Sequence, residues 1–199
     1  MSFPDLRRFM DQLRQDGDLV EIRAPVDANQ EAAEIHRRVV AAAGPALFFT
    51  NVKGAAFPLV TNLFGTFRRA EVAFGERPQR LIRRLVDLVE TVLPPTPVKL
   101  WRARDLGFEL LKVGTRRGGS GPVTEVVTGD VRLDKLPALT TWPDDGGPFI
   151  TLPLVFTEHP DGRGHNLGMY RLQIHYSRST GMHWQIGKGG GFHYQVAES

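Results

Sequence analysis

The sequence has no cysteine among its 199 residues. That excludes disulfides, thiolate-bound metals and a cysteine nucleophile. It also lacks a surplus of one charge. The 25 Lys and Arg stand against 22 Asp and Glu, a formal net charge of +3. A nucleic-acid binder would carry a dense basic stripe, so no such partner is expected. A small positive excess suits an acidic ligand, and suits many soluble proteins equally. No apolar run approaches the ~20 residues of a membrane-spanning helix. The opening MSFPDLRRFMDQLRQDG is charged and amphipathic, with no apolar signal core. The chain is therefore expected to be soluble and cytoplasmic. No HExxH pair and no GxxxxGK[ST] loop occurs, and Ser120 and Ser179 have no nucleophile-elbow context. Zinc hydrolysis, a phosphate loop and a serine triad thus lack support.

What is present is glycine, 21 residues, and proline, 14 residues. They argue for many turns rather than a helical bundle. Hydrophobic residues make up 41%, enough for a buried core in one large or two small domains. Leu6, Phe9, Met10 and Leu13 share one helical face, with Ser2 as cap and Gly17 as stop. Leu19 to Ile22 reads as a strand. Asn29 can cap a helix over Glu31 to Ala43, closed by Gly44 and Pro45. Strands are expected over Ala46 to Thr50 and Pro58 to Thr61. A helix is expected over Arg77 to Val92, with Arg80, Arg83 and Arg84 on its solvated face. Residues 1–100 thus read as a small α/β domain. Residues 101–199 change character. Thr115 to Gly121 is a glycine-rich loop. Strands are expected over Val123 to Thr128, Ile150 to Thr157, Asn166 to Tyr176 and Met182 to Ile186. Helix signals are few, and no closing helix is expected before Ser199. The fold class is α/β (α+β): a small α/β domain, then a mostly antiparallel, split-barrel-like domain, incomplete at its C-terminal end.

The chemistry concentrates in NLGMYRLQ, residues 166–173, and MHWQIGKGGG, residues 182–191. Strand alternation puts Asn166, Gly168 and Tyr170 on one face and Arg171 and Gln173 on the other. A bulge or twist would let Asn166 and Arg171 share a cavity. Arginine offers a planar fork of donors to a carboxylate or phosphate; a surface arginine on an ordinary strand is the other reading. The run Gly187 to Gly191 can turn its amides to an anion beside Lys188, or be a plain loop. Asn166 with one histidine and a carboxylate would suit Mg²⁺ or Mn²⁺ bridging a phosphate. Trp142 to Thr151 reads as a turn entering a strand, with a pocket wall as the alternative.

These two motifs resemble the UbiD family of prenylated-flavin decarboxylases. LRRFMDQLRQDGDLVEI, EIHRRVVAAAGPALFFTNVKG, LVTNLF and WPDDGGPFITLPLVFTEHPDG extend the likeness along essentially the whole chain. The resemblance implies reversible, non-oxidative decarboxylation of an aromatic, heteroaromatic or α,β-unsaturated carboxylic acid. It implies prenylated FMN, supplied by a flavin prenyltransferase, with Mn²⁺ or another divalent metal and often K⁺. By the same resemblance Asn166 ligates the metal at the cofactor phosphate. Met169, Tyr170 and Arg171 line the flavin, and Arg171 also faces the substrate carboxylate. His183, Trp184 and Gln185 form the next cofactor-contacting stretch, followed by Lys188 and Gly189. His193 is the nearest candidate for a further metal ligand. Family members carry a metal-binding glutamate, an acidic proton donor and an oligomerising C-terminal domain further along. None of these falls within the 199 residues, so a truncated, inactive part of a homo-oligomeric enzyme is expected. The alternatives are a non-catalytic flavin- or nucleotide-binding module, or a subunit completed by a partner chain.

Overall fold

The computed structural model of the chain describes residues 3–92, 96, 98, 101, 104, 105, 108, 121, 124–185 and 187–199. Ser2, residues 115–120, Val123 and Ile186 lie outside them. The chain divides into two compact units, one of residues 1–9 and 66–129, the other of residues 10–65 and 130–199.

In the first unit two helices follow each other, α3 (Phe67–Phe74) and α4 (Arg77–Val92). The expected bounds of α4 hold, with Arg80 and Arg83 exposed and Arg84 half-buried. Sequence reading missed α3, although its start carries a cap: the Thr66 side chain accepts the Arg69 amide at 3.2 Å. Residues 124–128 form no strand, contrary to expectation. Val126 and Val127 are 83% and 90% exposed, so no burial offsets the cost of ordering an extended segment there.

Helix α1 (Leu6–Gln15) belongs to both units. At its start the Asp5 carboxylate accepts the Arg8 amide at 2.9 Å. Phe9, Met10 and Leu13 are buried, as the helical spacing predicts.

In the second unit, β1 (Leu19–Ile22) pairs in parallel with β2 (Ala46–Phe49), and β2 pairs antiparallel with β3 (Leu59–Thr61). Helix α2 (Glu31–Ala41) is the crossover between the parallel strands. Its N-cap is Gln30 at φ 68°, with no side-chain cap. Asn29 does not cap it: Asn29 instead bridges Thr140, and its amide bonds Asp27 at 2.8 Å. The core is Val26, Ala32, Leu47, Phe49 and Val52, with Leu139 packed against it. Burying each large apolar side chain contributes about 1.5–3 kcal/mol.

Leu139 and Thr140 connect this sheet to the remainder of the unit. The Gln30 amide donates to the Thr140 carbonyl and the Thr140 amide to the Ala28 carbonyl, while Leu139 exchanges both bonds with Phe149. Next come β4 (Phe149–Ile150), β5 (Leu154–Glu158), β6 (His165–Met169), β7 (Leu172–Tyr176) and β8 (Ser179–Met182), then helix α5 (Gly189–Glu198). They form a three-stranded antiparallel sheet, order β4-β7-β8, and a separate β5-β6 hairpin. The fold class is mixed α and β as expected, with small, mostly antiparallel sheets and no closed barrel among the described residues.

Three expected strands are corrected. Ile150 to Thr157 is two strands, because Pro153 lacks an amide for the ladder. Asn166 to Tyr176 is also two, broken at Tyr170 and Arg171. The last strand ends at Met182 rather than reaching Ile186. The glycine run is no plain loop: it opens α5, a helix that sequence reading did not expect.

A candidate anion site beside a tethered arginine

The break between β6 and β7 builds the site. The hairpin turns Asn166 and Gly168 toward α5, which packs on β5 and β6. Tyr170 then folds back and is 4% exposed. Its phenol oxygen accepts two hydrogen bonds, from the Gly190 amide at 2.8 Å and from Asn166 Nδ2 at 3.1 Å. Its ring lies 5.4 Å from that of Trp184, which stacks on Tyr194 at 5.5 Å. A Cβ at Gly168 would stand 2.5 Å from the tyrosine ring, and one at Gly190 would stand 2.8 Å from it. Glycine at both positions lets the ring in.

Helix α5 opens at Lys188, its N-cap, which has φ −95° and ψ 148° and no side-chain cap bond. The first amides of a helix have no intrahelical acceptor. That of Gly190 is taken by Tyr170. Those of Gly189 and Gly191 have no partner among the described residues. Asn166 Oδ1 stands over Gly189, 2.5 Å from where a Cβ would be. Uncapped amides, the positive end of the helix and Lys188 suit a phosphate.

Arg171 points elsewhere. Its Nη1 donates to Asp145 Oδ1 at 3.3 Å, and its guanidinium lies 4.1 Å from the Phe149 ring centroid and 5.9 Å from that of Trp142. The Asp145 side chain is 2% exposed and accepts the Thr141 hydroxyl at 2.7 Å. Gln173 Nε2 bonds the Gly146 carbonyl and pins the same turn. Burial alone would raise the Asp145 carboxyl. The Thr141 hydroxyl and amide, the Arg171 charge and the Gly146 amide outweigh it and hold it below the ordinary aspartate range. With its folded pKa lowered, Asp145 stabilises the fold above about pH 4, and this is lost as pH falls through the folded value. Asp145→Asn should therefore flatten the decline of Tm as the pH falls below about 4. Thermal unfolding across that range checks it, and an unchanged slope would count against the pairing.

The structure thus brings together Asn166, Tyr170, Trp184, Lys188 and Gly189. Arg171 follows Tyr170 directly but belongs to a second cluster. Met169 is 55% exposed and alternates to the opposite face of β6. His183 is exposed, its amide bonding the Arg171 carbonyl at 3.4 Å. Gln185 is exposed; its carbonyl accepts the Lys188 amide at 3.2 Å. His193 Nδ1 lies 3.0 Å from Thr157 Oγ1, on the strand paired with Asn166. Among the described residues no three His, Cys, Asp or Glu side chains form a metal-holding group. The donor set fits an anion better than a metal. Sequence reading missed Thr141, Asp145 and Phe149 because the WPDDGGPF segment looked like an ordinary turn. A separate cavity of about 710 Å³, lined by His36, Leu59, Thr61 and Leu136, shares only Thr141 and Phe149 with the arginine cluster. It is largely apolar and contains none of the anion-site groups.

Mixed helices and small sheets around such a site define a class that sequence profiles identify. The profile of the 3-octaprenyl-4-hydroxybenzoate carboxy-lyase N-terminal domain matches residues 10–89, and that of the carboxy-lyase Rift-related domain matches residues 115–199. The chain belongs to the UbiD family. It is 46% identical over 198 residues to a Chlamydia pneumoniae protein named as a subunit of 4-hydroxybenzoate decarboxylase, covering 100% of this chain and 33% of that one. The chain spans about a third of the length of such curated relatives. The UbiD-class enzyme HmfF from Pelotomaculum thermopropionicum, solved with FMN, superposes with a TM-score of 0.73 at 25% identity, over 97% of this chain and 39% of that one. Apo 3,4-dihydroxybenzoic acid decarboxylase from Klebsiella pneumoniae shares the fold, with a TM-score of 0.71 at 24% identity, over 98% of this chain and 40% of that one. No described helix is long and apolar enough to cross a membrane.

Proposed function

We propose that this chain supplies the phosphate and carboxylate anchors of a carboxy-lyase. The reaction is reversible, non-oxidative decarboxylation of an aromatic, heteroaromatic or α,β-unsaturated carboxylic acid. The cofactor is prenylated FMN, provided by a flavin prenyltransferase, and the enzyme is a homo-oligomer. The observation that carries this reading is the start of α5, which has no side-chain cap bond and where the Gly189 and Gly191 amides have no partner among the described residues, beside Asn166 and Lys188. Support comes from HmfF, which was solved with FMN and, in an evolved dimeric form, with prFMN. Residues 1–100 act as the N-terminal domain and 101–199 as the first part of the cofactor-binding domain.

Bound prenylated FMN supplies an electron sink for the pair left when CO₂ departs. The protein's own residues bind and orient. The α5 amides and Lys188 hold the phosphate, and Asn166 is fixed by Tyr170 so that Oδ1 faces the same place. Trp184 stands beside Tyr170 at this site; by the family resemblance His183, Gln185 and Met169 would add flavin contacts, although Met169 lies on the opposite face of β6. Arg171 receives the substrate carboxylate and orients it. Asn166 and His193 are the candidates to hold Mn²⁺. The described residues do not by themselves make up a metal site. The chlamydial relative is named as one subunit of its decarboxylase, which favours a second reading, a subunit completed by a partner chain.

Co-expression with a flavin prenyltransferase, followed by mass spectrometry of the copurifying small molecule, tests the cofactor. A prenylated FMN mass is expected. Unmodified FMN alone would favour a flavin-binding module, and no flavin on folded protein would overturn the reading. In the loaded enzyme Arg171→Ala should abolish decarboxylation yet retain flavin; sustained turnover would refute the role of Arg171.

A further inference from the structure

We propose that Asp145 is a positioning residue. It aims Arg171 at a planar, conjugated carboxylate, and Trp142 is the ring against which the body of that molecule rests. The inference builds on the carboxy-lyase reading and assigns to the same site a residue that this reading does not use.

An arginine with 41% of its side chain exposed would ordinarily sample many rotamers, and ordering it costs entropy. Here three contacts hold it. Nη1 is committed to Asp145, the Phe149 ring packs on the guanidinium and Trp142 stands beside it. Asp145 cannot follow a wandering arginine, because it is almost wholly buried and tied to the Thr141 hydroxyl. The pair is therefore asymmetric, with a fixed acid inside and a cation reaching out from it. Exposed ion pairs contribute little to stability. Loss of the charge on a buried partner is felt more strongly.

Nη1 faces inward, while Nε and Nη2 carry no hydrogen bond among the described residues. Two parallel N–H donors match the two oxygens of a carboxylate. Trp142 is 50% exposed and adjoins the same guanidinium. An acid whose carboxylate continues into a conjugated plane can take both the fork and the indole face. A saturated acid of similar size takes the fork alone.

The test measures Kd for benzoate and for cyclohexanecarboxylate by titration calorimetry, alongside Kd for FMN by fluorescence quenching. Asp145→Asn keeps the side-chain shape and removes the charge. It should weaken benzoate about tenfold while leaving FMN affinity within about twofold. Arg171→Ala should weaken benzoate at least as much. The double variant should match Arg171→Ala alone, since Asp145 acts only through the arginine. Trp142→Ala should erase the preference for benzoate over cyclohexanecarboxylate. Unchanged benzoate affinity in Asp145→Asn, additive effects in the double variant, or no benzoate binding by the wild type would each overturn the inference. Should Asp145→Asn fail to fold, Thr141→Val keeps both charges and removes only the tether. Weakening of benzoate supports the role, and unchanged affinity overturns it. Failure of FMN to bind the wild type would sink the flavin reading instead, because benzoate is also titrated on the flavin-free protein.

Discussion

Gly190→Ala is expected to remove FMN binding and destabilise the chain, although alanine is the better helix former by about 1 kcal/mol. The new Cβ would lie 2.7 Å from Trp184 Cζ3 and 2.8 Å from both Cζ and Oη of Tyr170. Carbon atoms pack at about 3.5–4.0 Å, so both rings must retreat. Tyr170 is buried and doubly hydrogen-bonded and has little room to do so. Overpacking of this kind costs about 1–3 kcal/mol, which exceeds the propensity gain. The retreat also lengthens the bond from the Gly190 amide to the phenol and swings Asn166 away from the helix start. FMN affinity should drop by more than about tenfold, the equivalent of 1.4 kcal/mol. Gln195→Ala, at an exposed position of the same helix, should change neither property. Wild-type FMN affinity in Gly190→Ala would show that the cradle does not hold the phosphate.

Tyr170→Phe is the second large effect, and it requires no clash. It removes one oxygen from a buried place. That oxygen is the acceptor for a first-turn amide of α5 and for Asn166 Nδ2. A buried donor left without a partner costs about 1–3 kcal/mol. In a chain of this size that lowers Tm by roughly 2–4 °C per kcal/mol. The Asn166 carboxamide also loses what fixes its orientation, so FMN binding should weaken beyond the stability loss. The Kd is therefore compared well below the variant's Tm. If Tm falls but Kd at low temperature is unchanged, Tyr170 supports the fold and not the ligand.

The regular elements were legible because their signals are local. The bounds of β1 and α4 follow from an apolar run between turns and from leucines at helical spacing. The site was less legible. Alternation runs unbroken through NLGMYRLQ, so nothing in it marks the turn at Tyr170. That turn exists because distant Gly190 leaves room for the ring. Helix α5 was hidden for a related reason. Three glycines are a poor helix start by propensity, and packing against Tyr170, Trp184 and Asn166 overrides it. Asp145 stood beside Asp144 in a turn that looked solvated. Only the fold shows that one of the two acids is buried against Thr141. Asn166, Lys188 and Arg171 could be named early because their chemistry is carried by residue type.

The two anchors of this site are neighbours in the chain. Tyr170 organises one and Arg171 belongs to the other, with a single peptide bond between them and Cα atoms about 3.8 Å apart. The spacing between them therefore cannot be tuned by lengthening a loop. Adding or deleting a residue here would reverse which side chain meets the helix and which meets Asp145. On the proposed carboxy-lyase reading, changes of substrate would come from the walls, at positions such as Trp142, while the gauge between the two anchors stays constant.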